Sequence, residues 1–201
     1  MSPDPRTALA APEIREVVAA EVERQMQALR ADVEERLTEV RSRTVDDRAT
    51  LVVFSCDLDR ALAAFVIATG AAAAGLQTSM FFTFWGLAIL KRKGRAGRGR
   101  NLTERLLALM TPGSSESLGL SRCSFGGLGA RMLRRVMKDK TIASLEELMQ
   151  VARELDVRMI ACTMSMDAMG VGREELVDGL DYGGVATYMA DAARSRVTLF
   201  I

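Results

Sequence analysis

Of the residue types able to do covalent chemistry at neutral pH, cysteine is the one whose setting in this sequence points to a reaction, and Cys162 has the most telling neighbours of the three cysteines. Asp156 to Ala161 reads as a short buried strand, and the residues after Cys162 read as the first turn of a helix. A thiol on such a strand-to-helix switch lies at the carboxyl end of a strand, where open α/β sheets collect ligands and chemistry. The unpaired N–H groups and partial positive charge of a helix start favour thiolate over thiol, and the thiolate is the nucleophile. The plainer alternative is that Cys162 packs as a small apolar residue. Met164, Met166 and Met169 follow closely and supply a soft apolar surround rather than a set of ligands.

The absence of histidine narrows the chemistry. Ser/His/Asp and Cys/His mechanisms, histidine zinc sites and imidazole proton shuttles are all removed. Cys56, Cys123 and Cys162 contain no CxxC pair, which argues against a disulfide framework, a zinc site or an iron–sulfur cluster, so no cofactor or metal is implied. Reduced thiols in the cytoplasm are the expectation, and Met1 to Pro5 lacks the basic start and apolar run of a signal peptide. A net charge of +1 over 201 residues gives the whole chain no electrostatic footprint for nucleic acid. Cys123 sits in a glycine-flanked loop and is the candidate accessory thiol, able in principle to reach Cys162. The position of Cys56 is explained by strand packing.

The elements that must position these thiols follow from periodicity. Ile14, Val18, Val22, Met26, Leu29, Val33, Leu37 and Val40 recur at spacings of four and three, which predicts one long amphipathic helix from Pro12 to about Arg43. The stripe repeats every eleven residues more closely than every seven and is expected to meet another helix, most naturally its own copy in a homo-oligomer. Residues 1–48 are therefore expected to form a helical oligomerisation extension, with the polar stretch Thr44 to Arg48 as connector. Residues 49–201 then form an α/β domain, a mostly parallel sheet flanked by helices. Thr50 to Ser55 reads as its first strand, and Asp57 or Asp59 is placed to cap the helix after it. The helix Ala61 to Ala74 and the β-rich run Gln77 to Phe84 complete a βαβ unit. Ala61 to Leu90 carries no charge and is long enough to span a bilayer. The break at Gly75 to Ser79 argues against that reading, and membrane association is not expected.

Further along, 91–100 is a basic glycine-rich strip that reads as a solvated loop or a docking segment for an acidic partner. Helices are expected over Thr103 to Met110, Ala130 to Lys140, from the capping box at Ser144 to Leu155, over Arg173 to Asp178 and over Val185 to Ser195. Tyr182 to Gly184 reads as a turn, and Arg196 to Ile201 as the last strand.

The segments Asp57-Leu58-Asp59-Arg60-Ala61-Leu62-Ala63-Ala64-Phe65, Met80 to Leu87, Ser144 to Leu148, Ala161-Cys162-Thr163-Met164-Ser165-Met166-Asp167 and Asp181 to Ala186 resemble the DsrE/DsrF-like family. The resemblance is closest to its longer branch, sometimes labelled peroxiredoxin-like, and covers about Thr50 to Ile201 in order. It implies a small, usually homo-oligomeric α/β domain that carries sulfur as a cysteine persulfide between rhodanese-like and TusA-type proteins. The family's relay cysteine falls on Cys162. Cys56 departs from the pattern, which has glycine before Asp57, so the resemblance lends it no role; Cys123 lies in a variable segment. The expectation is a sulfur carrier or sulfurtransferase, with a thiol peroxidase or a non-catalytic oligomeric scaffold as the alternatives.

Overall fold

The computed structural model describes residues 5–43, 46–94, 111–122 and 127–201. Cys123, the basic stretch 95–100 and the helix expected over 103–110 lie outside the described residues. Two compact units are present, 1–44 and 45–201. The first contains one helix, α1 (Pro5–Arg43). Val18, Val22, Met26, Leu29, Val33, Leu37 and Val40 lie exposed along it.

The second unit is built on five parallel strands: β1 (Asp46–Val53), β2 (Gln77–Phe82), β3 (Arg158–Cys162), β4 (Asp181–Gly183) and β5 (Ser195–Phe200). Their order across the sheet is β4-β3-β2-β1-β5. The helices are α2 (Leu58–Ala73), α3 (Leu128–Asp139), α4 (Leu145–Glu154), α5 (Thr163–Met169) and α6 (Val185–Ala192). Successive side chains on a strand point to opposite faces, and the two faces differ here. Leu51, Val53, Met80, Phe82, Met159 and Ala161 point to a first face and join one core with residues of α2, α4 and α5. Alanine at Ala61, Ala64 and Ala68 keeps the buried side of α2 thin, so the helix lies close on the sheet with Phe65 filling the space between. On the second face Phe81, Ile160 and Cys162 form a separate cluster, against which Tyr188 of α6 packs.

Several boundaries differ from the sequence reading, mostly because of contacts with elements distant in the chain. β1 begins at Asp46 rather than Thr50, because the Asp46 N–H donates to the Arg194 carbonyl and extends the ladder with β5. The run expected as strand to Phe84 stops at Phe82 and becomes a 3-10 segment, Phe84–Leu90. Phe84 adopts φ +46 at that turn, a backbone costing a non-glycine residue roughly 1–2 kcal/mol. Gly86 then passes so close to the end of β1 that a Cβ would lie 2.1 Å from the Val53 carbonyl oxygen. The turn expected at Tyr182 to Gly184 is largely the short strand β4, since pairing with β3 wins over the local turn signal of two glycines. The helix expected over Arg173 to Asp178 is a single 3-10 turn, Arg173–Glu175. The uncharged run 61–90 is divided among α2, β2 and the 3-10 segment, and no described helix is long and apolar enough to cross a membrane.

Candidate functional site

Cys162 is the last residue of β3 and the residue immediately before α5. The switch forms because Arg158 to Ala161 continue the sheet and Thr163 to Met169 turn their apolar side, Met166 and Met169, into the core of the first face. Gly170, with φ +62, closes the helix. The Cys162 side chain makes no capping hydrogen bond to the helix start. It is fully buried in the second-face cluster with Phe81 of β2 and Ile160, against which Tyr188 packs. Phe81 and Tyr188 meet with ring centroids 5.4 Å apart, and burial pushes the Tyr188 phenol up. Asp167 stands exposed on α5, so its charge is directed to solvent rather than to the buried thiol.

The cover over Cys162 is thin. α6 has eight residues, none of them buried, and Val185 and Met189 are more than half exposed. It fits where it does because Gly183, the β4 partner of Cys162, has no side chain. A Cβ there would come within 2.6 Å of the Thr187 hydroxyl oxygen and 2.8 Å of its Cβ. An apolar rim lies near the ends of β1 and β5. Phe54 stacks on Phe200 at 5.8 Å and tilts against Phe84 at 5.8 Å, while Phe84, Met164 and Phe200 are themselves exposed.

Cys56 is half-buried on the turn out of β1. Burial first, and the Asp57 charge second, push its thiol up, while Lys91 pulls in the other direction. Val53, Phe82 and Ala161 are aligned across β1, β2 and β3. The ends of β1 and β3 are therefore about two strand spacings, roughly 10 Å, apart. Cys56 and Cys162 are both free thiols.

Asp57 stands at the N-cap of α2 but makes no side-chain cap bond. Its carboxylate accepts from Ser55 Oγ at 2.7 Å instead. Asp59 accepts from the Ser121 backbone N–H at 2.9 Å and from its hydroxyl, which ties the β1–α2 turn to the loop at 118–121. Burial alone would raise the Asp59 carboxyl, but the Ser121 bonds outweigh it and hold the group below its ordinary value. Sequence reasoning missed Gly183, Tyr188 and the hydroxyl pair Thr83–Ser165, 2.8 Å apart and buried. Parallel pairing brings Gly183 beside Cys162 and the packing of α6 brings Tyr188 against its cluster, and no local pattern signals either. Ser165, three residues after Cys162, was visible as a nearby polar group, but its bond to Thr83 spans 82 positions.

The family model that describes the DsrE/DsrF/DrsH-like family matches residues 46–200, the whole sheet-bearing unit. The chain belongs to this family. Among curated proteins it is similar to the uncharacterized protein YrkE of Bacillus subtilis strain 168, 41% identical over 154 residues, covering 77% of this chain and 96% of that one. It is also similar to the sulfur carrier protein DsrE2 of Allochromatium vinosum, 32% identical over 163 residues, covering 77% of this chain and 98% of the relative. Among solved structures, the YchN protein of E. coli aligns with a TM-score of 0.44 at 10% identity, over 77% of this chain and 99% of that one. The DsrE-like matches leave α1 outside the shared region.

Proposed function

We propose that the protein is a sulfur-relay carrier that holds sulfane sulfur as a persulfide on Cys162. Membership of the family and the likeness to a relative named as a sulfur carrier support a relay role. The observation that carries the reading to a residue is the placing of Cys162 at the carboxyl end of β3, under a short helix that buries none of its own residues. In the loading step the Cys162 thiolate attacks the outer sulfur of a donor persulfide, R–S–SH. A new Sγ–S bond forms, the donor S–S bond breaks, and the donor leaves as its thiolate R–S⁻. Unloading is the same exchange, with an acceptor thiolate attacking the outer sulfur and Cys162 leaving as thiolate. Each transfer is an exchange at sulfur without net oxidation, and thiolate character and access matter more than a general base. The lack of histidine is therefore no obstacle.

A rhodanese-like donor and a TusA-type acceptor are the proposed partners, a homo-oligomer in the cytoplasm the proposed working form, and Cys123 the proposed accessory thiol. Because Cys162 is fully buried, α6 must lift or tilt for either partner to reach it. Mass spectrometry of the Cys162 peptide after incubation with inorganic polysulfide tests the reading. One added sulfur on Cys162, passed on to a second thiol and without peroxide turnover, is expected. Peroxide turnover without transferable sulfur would favour the thiol-peroxidase alternative, and partner binding that survives loss of all thiol chemistry would favour the scaffold.

A further inference from the structure

β2 continues in extended conformation for one residue past Phe82. Thr83 has φ −132 and ψ 152, and its N–H still donates to the Val53 carbonyl at 3.1 Å. Since Phe82 pairs with Ala161, Thr83 stands beside Cys162 on the neighbouring strand. By the alternation of the pleat it shares the second face with Phe81 and Cys162. Neighbouring strands lie about 5 Å apart in a sheet, so Thr83 and Cys162 are adjacent on this face. Ser165, in the first turn of α5, closes the group. Its Oγ lies 2.8 Å from Thr83 Oγ1, and Ser165 is fully buried while Thr83 is 9% exposed.

Two hydroxyls bring two protons, and the bond between them uses one. Neither oxygen makes another hydrogen bond among the described residues. One buried O–H is thus left without an acceptor, which costs about 1–3 kcal/mol. Among the described residues of this face, Cys162 is a group that can become a strong acceptor. As a neutral thiol Cys162 is a poor one, and no hydroxyl bonds to it. As a thiolate, or with a negatively charged outer sulfur, it is a good one, and a charge there needs compensation that Phe81, Ile160 and Tyr188 do not give.

We propose that Thr83 donates its hydroxyl proton in a hydrogen bond to the sulfur anion of Cys162, and that Ser165 positions Thr83 by donating to Thr83 Oγ1. A donor that finds its acceptor only when charge develops stabilises the reacting state and not the resting thiol. Ser165 also polarises the Thr83 hydroxyl, strengthening the bond. The inference rests on Cys162 being the sulfur-accepting residue. Among the other charged groups described on this face, Arg48 of β1 pairs with Asp46 and with Asp191 of α6, away from the strand ends that carry Thr83 and Cys162. Tyr188 from α6 is pushed up by burial. Arg158 of β3 pairs with Asp181 of β4 and Asp191 of α6, at the opposite end of the face. On α5, Asp167 is exposed.

The test uses the full chain, inorganic polysulfide as donor and peptide-resolved mass spectrometry of Cys162. Thr83→Val keeps the shape and removes the donor. It is expected to slow sulfur uptake at neutral pH about tenfold and to move the pH profile of Cys162 alkylation upward by about one unit. Thr83→Ser, which keeps the hydroxyl, restores both, and Ser165→Ala shifts the profile in the same direction by less. A purely structural role would lower the melting temperature and leave the pH profile in place. An unchanged profile in Thr83→Val, or a Thr83→Ser protein as slow as Thr83→Val, overturns the proposal. Should Thr83→Val not fold, the Ser165→Ala profile decides in the same way. Continued sulfur uptake by Cys162→Ser would instead overturn the persulfide reading. Normal loading with no response to Thr83→Val overturns the hydroxyl pair alone.

Discussion

At the scale of single residues, the two described thiols are distinguished by their surroundings rather than by their exposure. Cys56 is the more accessible, yet burial and the neighbouring Asp57 hold it protonated at neutral pH. Its alkylation should be slow near neutrality and rise only in alkaline solution, and Cys56→Ser should load sulfur at the parent rate. Cys162→Ser should lose loading while keeping its circular dichroism spectrum, with a lower melting temperature because a polar hydroxyl replaces the thiol in an apolar cluster. A Cys162→Ser protein that still takes up sulfur would remove the relay reading. The strand-end position of Cys162 was legible from the sequence because it depends on local pattern, a short β-rich run followed by a helix start. Its complete burial was not legible. Burial is imposed by Phe81, 81 positions earlier in the chain, and by Tyr188 on a later helix, and no local pattern records either contact.

Elements whose ends are fixed by their own side chains were also readable. The capping box at Ser144 forms as its spacing predicts, with the Glu147 N–H donating to Ser144 Oγ at 3.2 Å and the Ser144 N–H donating to Glu147 Oε2 at 2.7 Å. Ser144→Ala should therefore lower stability by about 1 kcal/mol in chemical denaturation. The same bonds hold the Glu147 carboxyl below its ordinary value, and those of Ser121, against burial, do so for Asp59. A depressed carboxylate stabilises the fold above its unfolded pKa and loses that contribution as pH falls through the folded one. The starts of α2 and α4 should accordingly loosen in acid, which hydrogen exchange at Asp59 and Glu147 would follow. Elements fixed by distant partners were misread: β4 is strand only because β3 lies beside it, and the Phe84–Leu90 segment leaves the sheet because Gly86 can pass against the Val53 carbonyl. Gly183 joins these two kinds of information. In Gly183→Ala the new methyl meets Thr187, and the backbone of a strand and the short helix above it must separate. The variant should lose roughly 1–3 kcal/mol from overpacking, and Cys162 should alkylate faster as α6 lifts. Slower alkylation would show that α6 does not cover the thiol.

For the molecule as a whole, α1 carries an apolar seam that is exposed among the described residues. Val18, Val22, Met26, Leu29, Val33, Leu37 and Val40 are each 46–61% exposed. They extend for about 33 Å along the helix axis at 1.5 Å per residue. Their surroundings are polar, and the ion pairs Glu21–Arg24 and Asp32–Arg36 run along the helix itself, so the seam is the surface on which the proposed homo-oligomer contact would fall. Burying these side chains would contribute on the order of 10 kcal/mol before the cost of association, which is itself about 4–15 kcal/mol. The balance favours a helix pairing along its entire length over a short contact. The eleven-residue spacing from Val18 to Leu29 to Val40 corresponds to 3.67 residues per turn, so paired copies would wrap with a slight right-handed supercoil. Removal of residues 1–45 leaves β1 intact from Asp46, and the truncated protein should fold and load sulfur while its protomer number, measured by light scattering after size exclusion, falls. Because the seam is apolar, assembly of the full chain should persist at high salt, where a contact built on exposed ion pairs would weaken. An unchanged protomer number after truncation would assign assembly to the sheet-bearing unit, whose exposed Phe84 and Phe200, packed against Phe54, would then be the surface to mutate next.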